Sequence, residues 1–192
     1  MRLALSVGHG QAWEGGAVVD DPGAEHAAIG VSEFKTCKRI HHVLHALLYE
    51  YHDISVFDVP INIPLQQRIQ TINDAHMGHE IDLAIEIHNN GFDDRAVDGT
   101  ETLYWPTSVS GKAWAQKVQE FMVAEIGITD RGVKAFGDDK WEQSRDAFLQ
   151  MTKMPAIIVE PFFITSDASA KEVLTGDLIH RVSWSIFKAL IT

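Results

Sequence analysis

The sequence predicts an α/β domain in which helices cover a mostly parallel sheet. Short, continuous apolar runs alternate along the chain with longer segments of helical periodicity, and such runs are typical of buried parallel strands. The 192 residues suit one domain, and 45% of them are hydrophobic, which is enough for a substantial core. Because no Pro-, Gly- or Ser-rich linker divides the chain, we expect residues 1–192 to form a single domain.

The first half of the chain contains three predicted strands and two predicted helices. Ser32 is a suitable N-cap for the first helix, and Pro64 suits the first turn of the second. In chain order, the elements are a strand at Leu3 to Val7, a helix at Ser32 to Tyr51, a strand at Ile54 to Val59, a helix at Pro64 to His79 and a strand at Leu83 to Ile87.

The second half continues the alternation. Its predicted elements are a strand at Glu101 to Tyr104, a helix at Ser110 to Ile126, a strand at Ala156 to Val159 and one or two closing helices at Asp167 to Leu190. Between them, Asp138 to Ser144 is polar and irregular, which is typical of a loop that borders a site.

Charge and cysteine content exclude several classes of function. The formal net charge of −11 would repel phosphate backbones, so we do not expect a nucleic-acid partner. Cys37 is the single cysteine, which rules out an internal disulfide and a multi-cysteine zinc site. A metal site in this chain would therefore use histidine and carboxylate ligands, and the 10 histidines make such a site plausible.

The sequence also bears on where the protein is made. No stretch approaches the about 20 consecutive apolar residues that span a bilayer, so we expect no membrane insertion. The apolar run at Leu3 to Val7 is shorter than the core of a signal peptide and ends at Gly8-His9-Gly10. We therefore expect synthesis in the cytoplasm without a secretory signal.

Ionisable side chains follow three of the predicted strands. His9 comes after the first strand, His88 after the strand at Leu83 to Ile87, and Glu160 after the strand at Ala156 to Val159. In open α/β sheets, ligands bind outside the carboxyl ends of the strands. A single histidine at a strand end is more often solvated than functional, but three such residues together favour a site at this edge.

Glu33 is a fourth candidate, and its position allows two interpretations, one with the side chain in the core and one with it in solvent. On a helical projection it lies seven residues before Ile40, near the centre of the apolar face of the first helix. A carboxylate aimed at the core is costly unless it is paired or binds a metal. Alternatively, a first-turn glutamate reaches solvent and interacts favourably with the helix dipole.

Two histidines and a carboxylate form a known catalytic zinc set that leaves one coordination position open. A further carboxylate nearby can accept a proton from the attacking water and transfer it to the leaving amine. Glu160 is our candidate for that role.

Other histidines in the sequence are also candidate ligands. His41 and His45 have the i, i+4 spacing of a metal pair, but together with His42 they project away from the apolar face, which favours a solvated surface. His76 and His79 lie near a helix end, where they favour the C-terminal dipole.

Three residues have mainly structural explanations. His26 follows a Pro-Gly turn and is expected on a surface loop. Cys37 lies on or beside the inward face of the first helix, so packing is the favoured role. Glu86 shares a strand face with His88, and it either orients that ligand or is simply a satisfied carboxylate.

Several short motifs follow one another in order along nearly the whole chain. They are Ser6-Val7-Gly8-His9-Gly10, Asp21-Pro22-Gly23-Ala24 ahead of Glu33, Arg68 with Asn73-Asp74-Ala75, Ile87-His88-Asn89-Asn90, Gly99 to Pro106, Arg131-Gly132-Val133-Lys134, and Met154 to Pro161. In this order the motifs resemble the type 3 N-acetylmuramoyl-L-alanine amidases.

The resemblance implies a zinc enzyme that acts on peptidoglycan and cleaves the amide between N-acetylmuramic acid and L-alanine. It implies that His9, Glu33 and His88 bind one zinc ion and that Glu160 is the catalytic carboxylate. The implied fold is a three-layer α/β/α sandwich around a central, mostly parallel sheet of about six strands.

The resemblance also leaves details open. Asn90 and Arg68 are weaker candidates for positioning substrate or bracing the site, with Glu86 as a residue behind the ligands. Phe162 stands where the family often has glycine, and Gln150 where arginine is frequent; both are expected near the cleft.

Two other functions fit the same ligands. The chain could be a zinc peptidase that cuts within the stem peptide, or a non-catalytic wall-binding module. Because we find no separate cell-wall-binding domain, we also expect a phage or prophage endolysin that a holin releases to the wall.

Overall fold

The computed structural model of the chain describes residues 1–136 and 146–192. The predicted loop at Asp138 to Ser144 lies outside the described residues. No helix in the described part of the chain is both long and apolar enough to cross a bilayer.

Six strands form the central sheet, in the order β6-β1-β7-β10-β8-β9. The first four run parallel to one another, whereas β8 pairs antiparallel with β10 and then parallel with β9. The strands are β1 Arg2–Val7, β6 Ser55–Asp58, β7 Leu83–Ile87, β8 Thr100–Tyr104, β9 Asp130–Ala135 and β10 Ala156–Glu160. The predicted fold class, with a mostly parallel six-stranded sheet, is confirmed.

Helices cover both faces of this sheet. Alternate residues of each central strand point to opposite faces, so Leu83 and Ile85 of β7 join the larger core while Ala84 joins the smaller one. The larger core packs under α1, α3, α5 and α6, and the smaller under α2 and α4. The helices are α1 Glu33–Tyr49, α2 Leu65–Gly78, α3 Val109–Ile126, α4 Asp146–Met151, α5 Asp167–Thr175 and α6 Asp177–Ile191.

Helix boundaries follow the signals in the sequence. Ser32 occupies the N-cap of α1, and Pro64 precedes α2. The closing segment is two helices, because Gly176 adopts φ 87°, which ends α5 and starts α6.

Four short strands outside the main sheet were not predicted. β2 Gly10–Glu14 and β3 Ala17–Asp21 form an antiparallel hairpin, and β4 Glu25–His26 pairs with β5 Val31–Ser32. The sequence contains a signal for this hairpin, because the pair Gly15-Gly16 favours a tight hairpin turn. In the structure the two glycines adopt positive φ, 57° and 85°.

Candidate metal centre

Three neighbouring parallel strands bring their carboxyl ends together. Val7 of β1 lies beside Ile87 of β7, and Ile87 lies beside Val159 of β10. His9 and His88, which come after β1 and β7, and Glu160, the last residue of β10, therefore lie at one edge of the sheet, as the sequence predicted.

Close packing around Gly8 positions the His88 ring. A Cβ added at Gly8 would lie 2.2 Å from His88 Cε1, so the imidazole occupies the space that any larger residue would need. The backbone is held at the same point, because the N–H of Gly8 donates to the Ile87 carbonyl at 2.9 Å.

His9 sits on a strained turn immediately beyond β1. Its φ is 63°, in the left-handed region that side chains other than glycine seldom adopt. The turn directs Nε2 to within 3.1 Å of Glu33 Oε1, while Nδ1 lies 2.9 Å from Asp21 Oδ2.

In His88 it is Nδ1 that faces Glu33, whereas in His9 it is Nε2. Nδ1 lies 2.9 Å from Glu33 Oε1, and Nε2 lies 3.0 Å from Glu86 Oε1. The two rings meet edge to face with centroids 5.0 Å apart. Glu33 Oε1 therefore contacts one nitrogen of each histidine ring, His9 Nε2 and His88 Nδ1. The other nitrogen of each ring, called the outer nitrogen below, contacts a further carboxylate, which is Asp21 for His9 and Glu86 for His88.

Glu33 points into the protein from the first turn of α1 and is 1% exposed, so the core-facing reading of the sequence is correct. The backbone N–H of Asn89 donates to Oε1 at 3.0 Å, and that of Ala24 donates to Oε2 at 2.9 Å. Gly23 lets the chain pass this close, because a Cβ there would lie 2.6 Å from Glu33 Oε2.

These contacts shift the protonation of the three groups. Burial alone would raise the pKa of Glu33, but hydrogen bonds from His88 and His9 hold it well below its usual range. Burial alone would lower the pKa of His88, but the hydrogen bonds to Glu33 and Glu86 outweigh it and raise the pKa to about 9. Burial would also lower the pKa of His9, but the hydrogen bond to Glu33 opposes it and the pKa is raised.

The donor set fits a zinc ion. One ligand atom from each of His9, Glu33 and His88 lies within 4.8 Å of the others. Tetrahedral zinc with bonds near 2.1 Å places its ligand atoms about 3.4 Å apart, somewhat longer than the separations of 3.1 and 2.9 Å from Glu33 Oε1 to the two histidines. The carboxylates on the outer nitrogens would fix both rings for coordination through His9 Nε2 and His88 Nδ1.

Glu86 and Arg68 form a buried pair on the protein side of this centre, behind the candidate ligands. Oε2 of Glu86 accepts from Ser6 Oγ and from Arg68 Nε, both at 2.9 Å. Burial would raise the pKa of Glu86, but the Arg68 charge and the bond from His88 lower it to about 2. Arg68 is itself buried and donates to the carbonyls of Ile63 and His9. The geometry thus favours bracing over substrate contact for Arg68, and ligand orientation for Glu86.

Glu160 ends β10 and is completely buried, on the same sheet face as His88 and in the next strand. Across the antiparallel pair it lies opposite Glu101 of β8. Asn90 Nδ2 donates to Glu101 Oε1 at 2.8 Å, and Arg131 Nε donates to Oε2 at 2.8 Å. Asn90 is therefore tied to a neighbouring carboxylate beside the centre.

A cleft of ≈350 Å³ opens over the centre. His9, His88, Glu86 and Arg68 line it from within the protein. Its outer walls are the β2–β3 hairpin, which contributes Trp13, and the start of α2. Such a cleft gives an extended substrate access to the candidate ligands.

A comparison with known proteins identifies the family. The family model described as N-acetylmuramoyl-L-alanine amidase matches residues 3–192. The chain belongs to the N-acetylmuramoyl-L-alanine amidase family. The amidase LytC of Bacillus subtilis (strain 168) is 31% identical over 111 residues, which make up 57% of this chain but only 20% of LytC.

Solved amidase structures share the fold. An N-acetylmuramoyl-L-alanine amidase from Clostridium difficile 630 superposes with a TM-score of 0.82 and 22% identity, covering 99% of this chain and 94% of that one. The catalytic domain of the CD27L endolysin gives a TM-score of 0.74 at 21% identity, covering 100% of this chain and 97% of that one. At these identities the likeness concerns the fold.

Two histidines of the chain lie elsewhere than predicted. His41 was expected on a solvated face but is buried, and its Nε2 lies 3.2 Å from Asp58 Oδ1. Asp58, at the end of β6, also binds His45 Nε2 at 2.8 Å, while His42 is exposed as predicted. His26 was expected on a surface loop, but it is buried in β4 with Nε2 2.8 Å from Asp167 Oδ1.

Two residues that depart from the family pattern do not line the cleft. Phe162 is fully buried in the larger core, under the opposite face of the sheet. Gln150 is exposed on α4 and lines a cavity with Pro155 and Ala156, at the amino end of β10. The expectation for Gln150 was wrong, because it lies at the amino end of β10 and Glu160 is at the other end. Phe162 is near the centre along the chain, and its carbonyl accepts from the N–H of Asn90, but its side chain packs in the core instead of lining the cleft.

Glu101, Asp21 and Trp13 were missed as site residues. Glu101 offered a signal, since it is a carboxylate on a strand whose residues are all buried. Asp21 belonged to a recognised motif, but its contact with His9 depends on the return of the hairpin.

Proposed function

We propose that this chain hydrolyses, with one bound zinc ion, the amide between N-acetylmuramic acid and L-alanine in peptidoglycan. The observation that carries the proposal is the convergence of ligand atoms of His9, Glu33 and His88 within 4.8 Å, beside a cleft that both histidines line and with Glu160 in the adjacent strand. Family membership over residues 3–192 supports the substrate class.

The metal would be held by His9 Nε2, Glu33 and His88 Nδ1. At such a site zinc supplies a Lewis acid that polarises the scissile carbonyl and acidifies the attacking water. Asp21 and Glu86 keep the protons of the imidazoles on the outer nitrogens, which leaves the inner nitrogens free of protons for the metal.

Glu160 would act as general base and then as general acid. Its carboxylate accepts a proton from the attacking water and delivers it to the departing nitrogen of L-alanine. The location supports this role, because Glu160 is beside His88 on the face where the ligands converge and is shielded from bulk solvent. Asn90 and Arg131 hold the neighbouring Glu101 through hydrogen bonds to its two carboxylate oxygens.

The test is a digest of purified peptidoglycan by the protein with and without chelator, analysed by mass spectrometry. We expect free stem peptides that begin with L-alanine, lost on chelation and restored by zinc. Fragments cut within the stem peptide would instead support the peptidase, and unchanged peptidoglycan in the presence of stoichiometric zinc would support a wall-binding module. Release through a holin stays a prediction.

A further inference from the structure

The β2–β3 hairpin is fixed to the candidate metal centre at its base. Strand β2 begins directly after His9, and its first residue, Gly10, pairs with Asp21 at the end of β3. Asp21 in turn holds His9 Nδ1 at 2.9 Å. Both strands of the hairpin are therefore tied to one metal ligand, so side chains on the hairpin have a defined position relative to the centre.

Trp13 projects from this hairpin into the cleft. It pairs with Val18 near the turn, and it lines the cavity that His9 and His88 also line. The side chain is 51% exposed, although a strand rather than a loop carries it. Half-exposed indoles on a rigid element at a polar cleft are typical of ligand contacts, since they offer a large flat apolar face at little entropic cost.

Trp184 provides a contrast within the same chain. It is similarly exposed, at 43%, but it stacks on Phe187 at 5.3 Å and lies near the Lys188 ammonium. For Trp13 we find no ring stacking or cation–π contact among the residues that the structure describes. Packing against its neighbours therefore explains the position of Trp184 but not that of Trp13.

The two sides of the metal centre differ in chemistry. On the β1 side the outer walls of the cleft are Trp13 of the hairpin and Leu65 and Gln66 at the start of α2, which are uncharged. The charged residues that also line the cleft are already paired: Asp21 bonds to His9, and Glu86 bonds to His88 and Arg68. On the β10 side the sheet edge continues to Glu101 and Arg131, each strand adding about 4.8 Å. A substrate that crosses the centre thus meets an aromatic wall at one end and ionic groups at the other.

The substrate of the proposed function is divided in the same way. One side of its scissile amide carries the muramic acid ring, whose C–H groups suit the face of an indole. The other side carries a peptide with charged groups. We propose that Trp13 is the platform for the N-acetylmuramic acid ring, so that the stem peptide leaves the centre toward Glu160 and Arg131. This inference rests on the proposed function.

The test measures binding separately for the two halves of the substrate. The probes are the disaccharide N-acetylglucosaminyl-N-acetylmuramic acid and the free stem peptide, titrated by NMR against the zinc-loaded protein. We expect Trp13→Ala to raise the Kd of the disaccharide about 10-fold and to leave that of the stem peptide unchanged. Trp13→Phe, which keeps a flat ring, should recover most of the loss, and Trp184→Ala is the matched control with no effect on either probe.

Turnover of a disaccharide-peptide by the wild-type protein is measured separately. Its absence would count against the proposed function, whereas the binding titration does not depend on turnover. The inference is overturned if Trp13→Ala leaves disaccharide binding unchanged, if it weakens both probes equally, or if the wild-type protein does not bind the disaccharide. A KM for the disaccharide-peptide that rises in Trp13→Ala with kcat nearly kept would further support it.

Discussion

Glu86→Gln tests whether the buried carboxylate behind His88 prepares this ligand for zinc. Glu86 Oε1 lies 3.0 Å from His88 Nε2, and its Oε2 accepts from Ser6 and Arg68. The amide oxygen of a glutamine can keep the bonds from Ser6 and Arg68, but its NH₂ group then faces Nε2 as a donor. His88 would respond by moving its proton to Nδ1, the nitrogen that faces Glu33 and the metal position.

The size of the effect follows from this change of tautomer. Loss of a carboxylate that holds the outer nitrogen of a metal-bound histidine typically weakens metal binding about 10–100-fold, or about 1.4–2.7 kcal/mol. Glu86 is buried and Arg68 relies on it, so we expect the upper part of this range. Asp21→Asn is the matched control on the other ligand. Because Asp21 is 31% exposed, its amide can rotate and water can replace lost bonds, and we expect about 10-fold or less.

Competition with a chromophoric chelator would give the zinc Kd of the wild-type protein and of both variants. Circular dichroism and the urea midpoint of each metal-free protein would establish that the fold is retained. A folded Glu86→Gln protein with wild-type zinc affinity would refute the reasoning, and so would a larger loss in Asp21→Asn.

The remaining predictions concern catalysis, packing and pH. Glu160→Ala should retain one zinc by elemental analysis yet lose about 10²–10⁴-fold in kcat, whereas His88→Ala should lose the metal itself; equal turnover by the Glu160 variant would exclude the general-base role. Gly8→Ala should displace the His88 ring, because the new Cβ would lie 2.2 Å from Cε1, and chelator competition should report weakened zinc binding; a wild-type Kd would contradict this. Burial, opposed only in part by Asp58, lowers the pKa of His41 from 6.5 to about 4, so its contribution to stability is complete above pH 6.5 and is lost as the pH falls toward 4. Urea unfolding should show a loss of up to about 3 kcal/mol over this interval that is absent in His41→Leu, and parallel pH profiles for the two proteins would show the prediction to be wrong.

Strand-end reasoning located His9, His88 and Glu160 at one edge of the sheet because it depends on one topological fact. Parallel strands of a central sheet present their carboxyl ends at one edge, and β1, β7 and β10 are neighbours there. Helical periodicity located Glu33 on the inward face of α1, but periodicity describes a direction and not a partner. The contact of Glu33 with both histidines can be recognised only once the sheet is assembled.

The histidines placed wrongly show the same limit. His41 projects away from the apolar residues of α1, and only the neighbouring strand β6, which supplies Asp58, makes that side of the helix an interior. His26 is bonded to Asp167, which lies 141 residues further along the chain. A pattern within one element does not reveal a polar partner from another, so a histidine that is buried beside such a partner is found only from the structure.

The candidate centre has a rigid half and an accessible half. His88 leaves a regular strand and is enclosed by Gly8, Glu33 and Glu86, all of them fixed by the sheet or by α1. His9 sits on a strained turn, and its outer nitrogen depends on a half-exposed hairpin. Changes to the buried half should therefore act mainly on metal affinity.

Changes to the hairpin should act mainly on substrate. The base of the hairpin adjoins the metal centre, where Asp21 holds His9, and Trp13 lies near the turn at the other end and lines the cleft. A substitution near that end alters what the cleft contacts while the bonds at the base, between Asp21 and His9, stay in place. Zinc affinity and sugar affinity should thus respond to different sets of substitutions, Glu86→Gln shifting the first and Trp13→Ala the second.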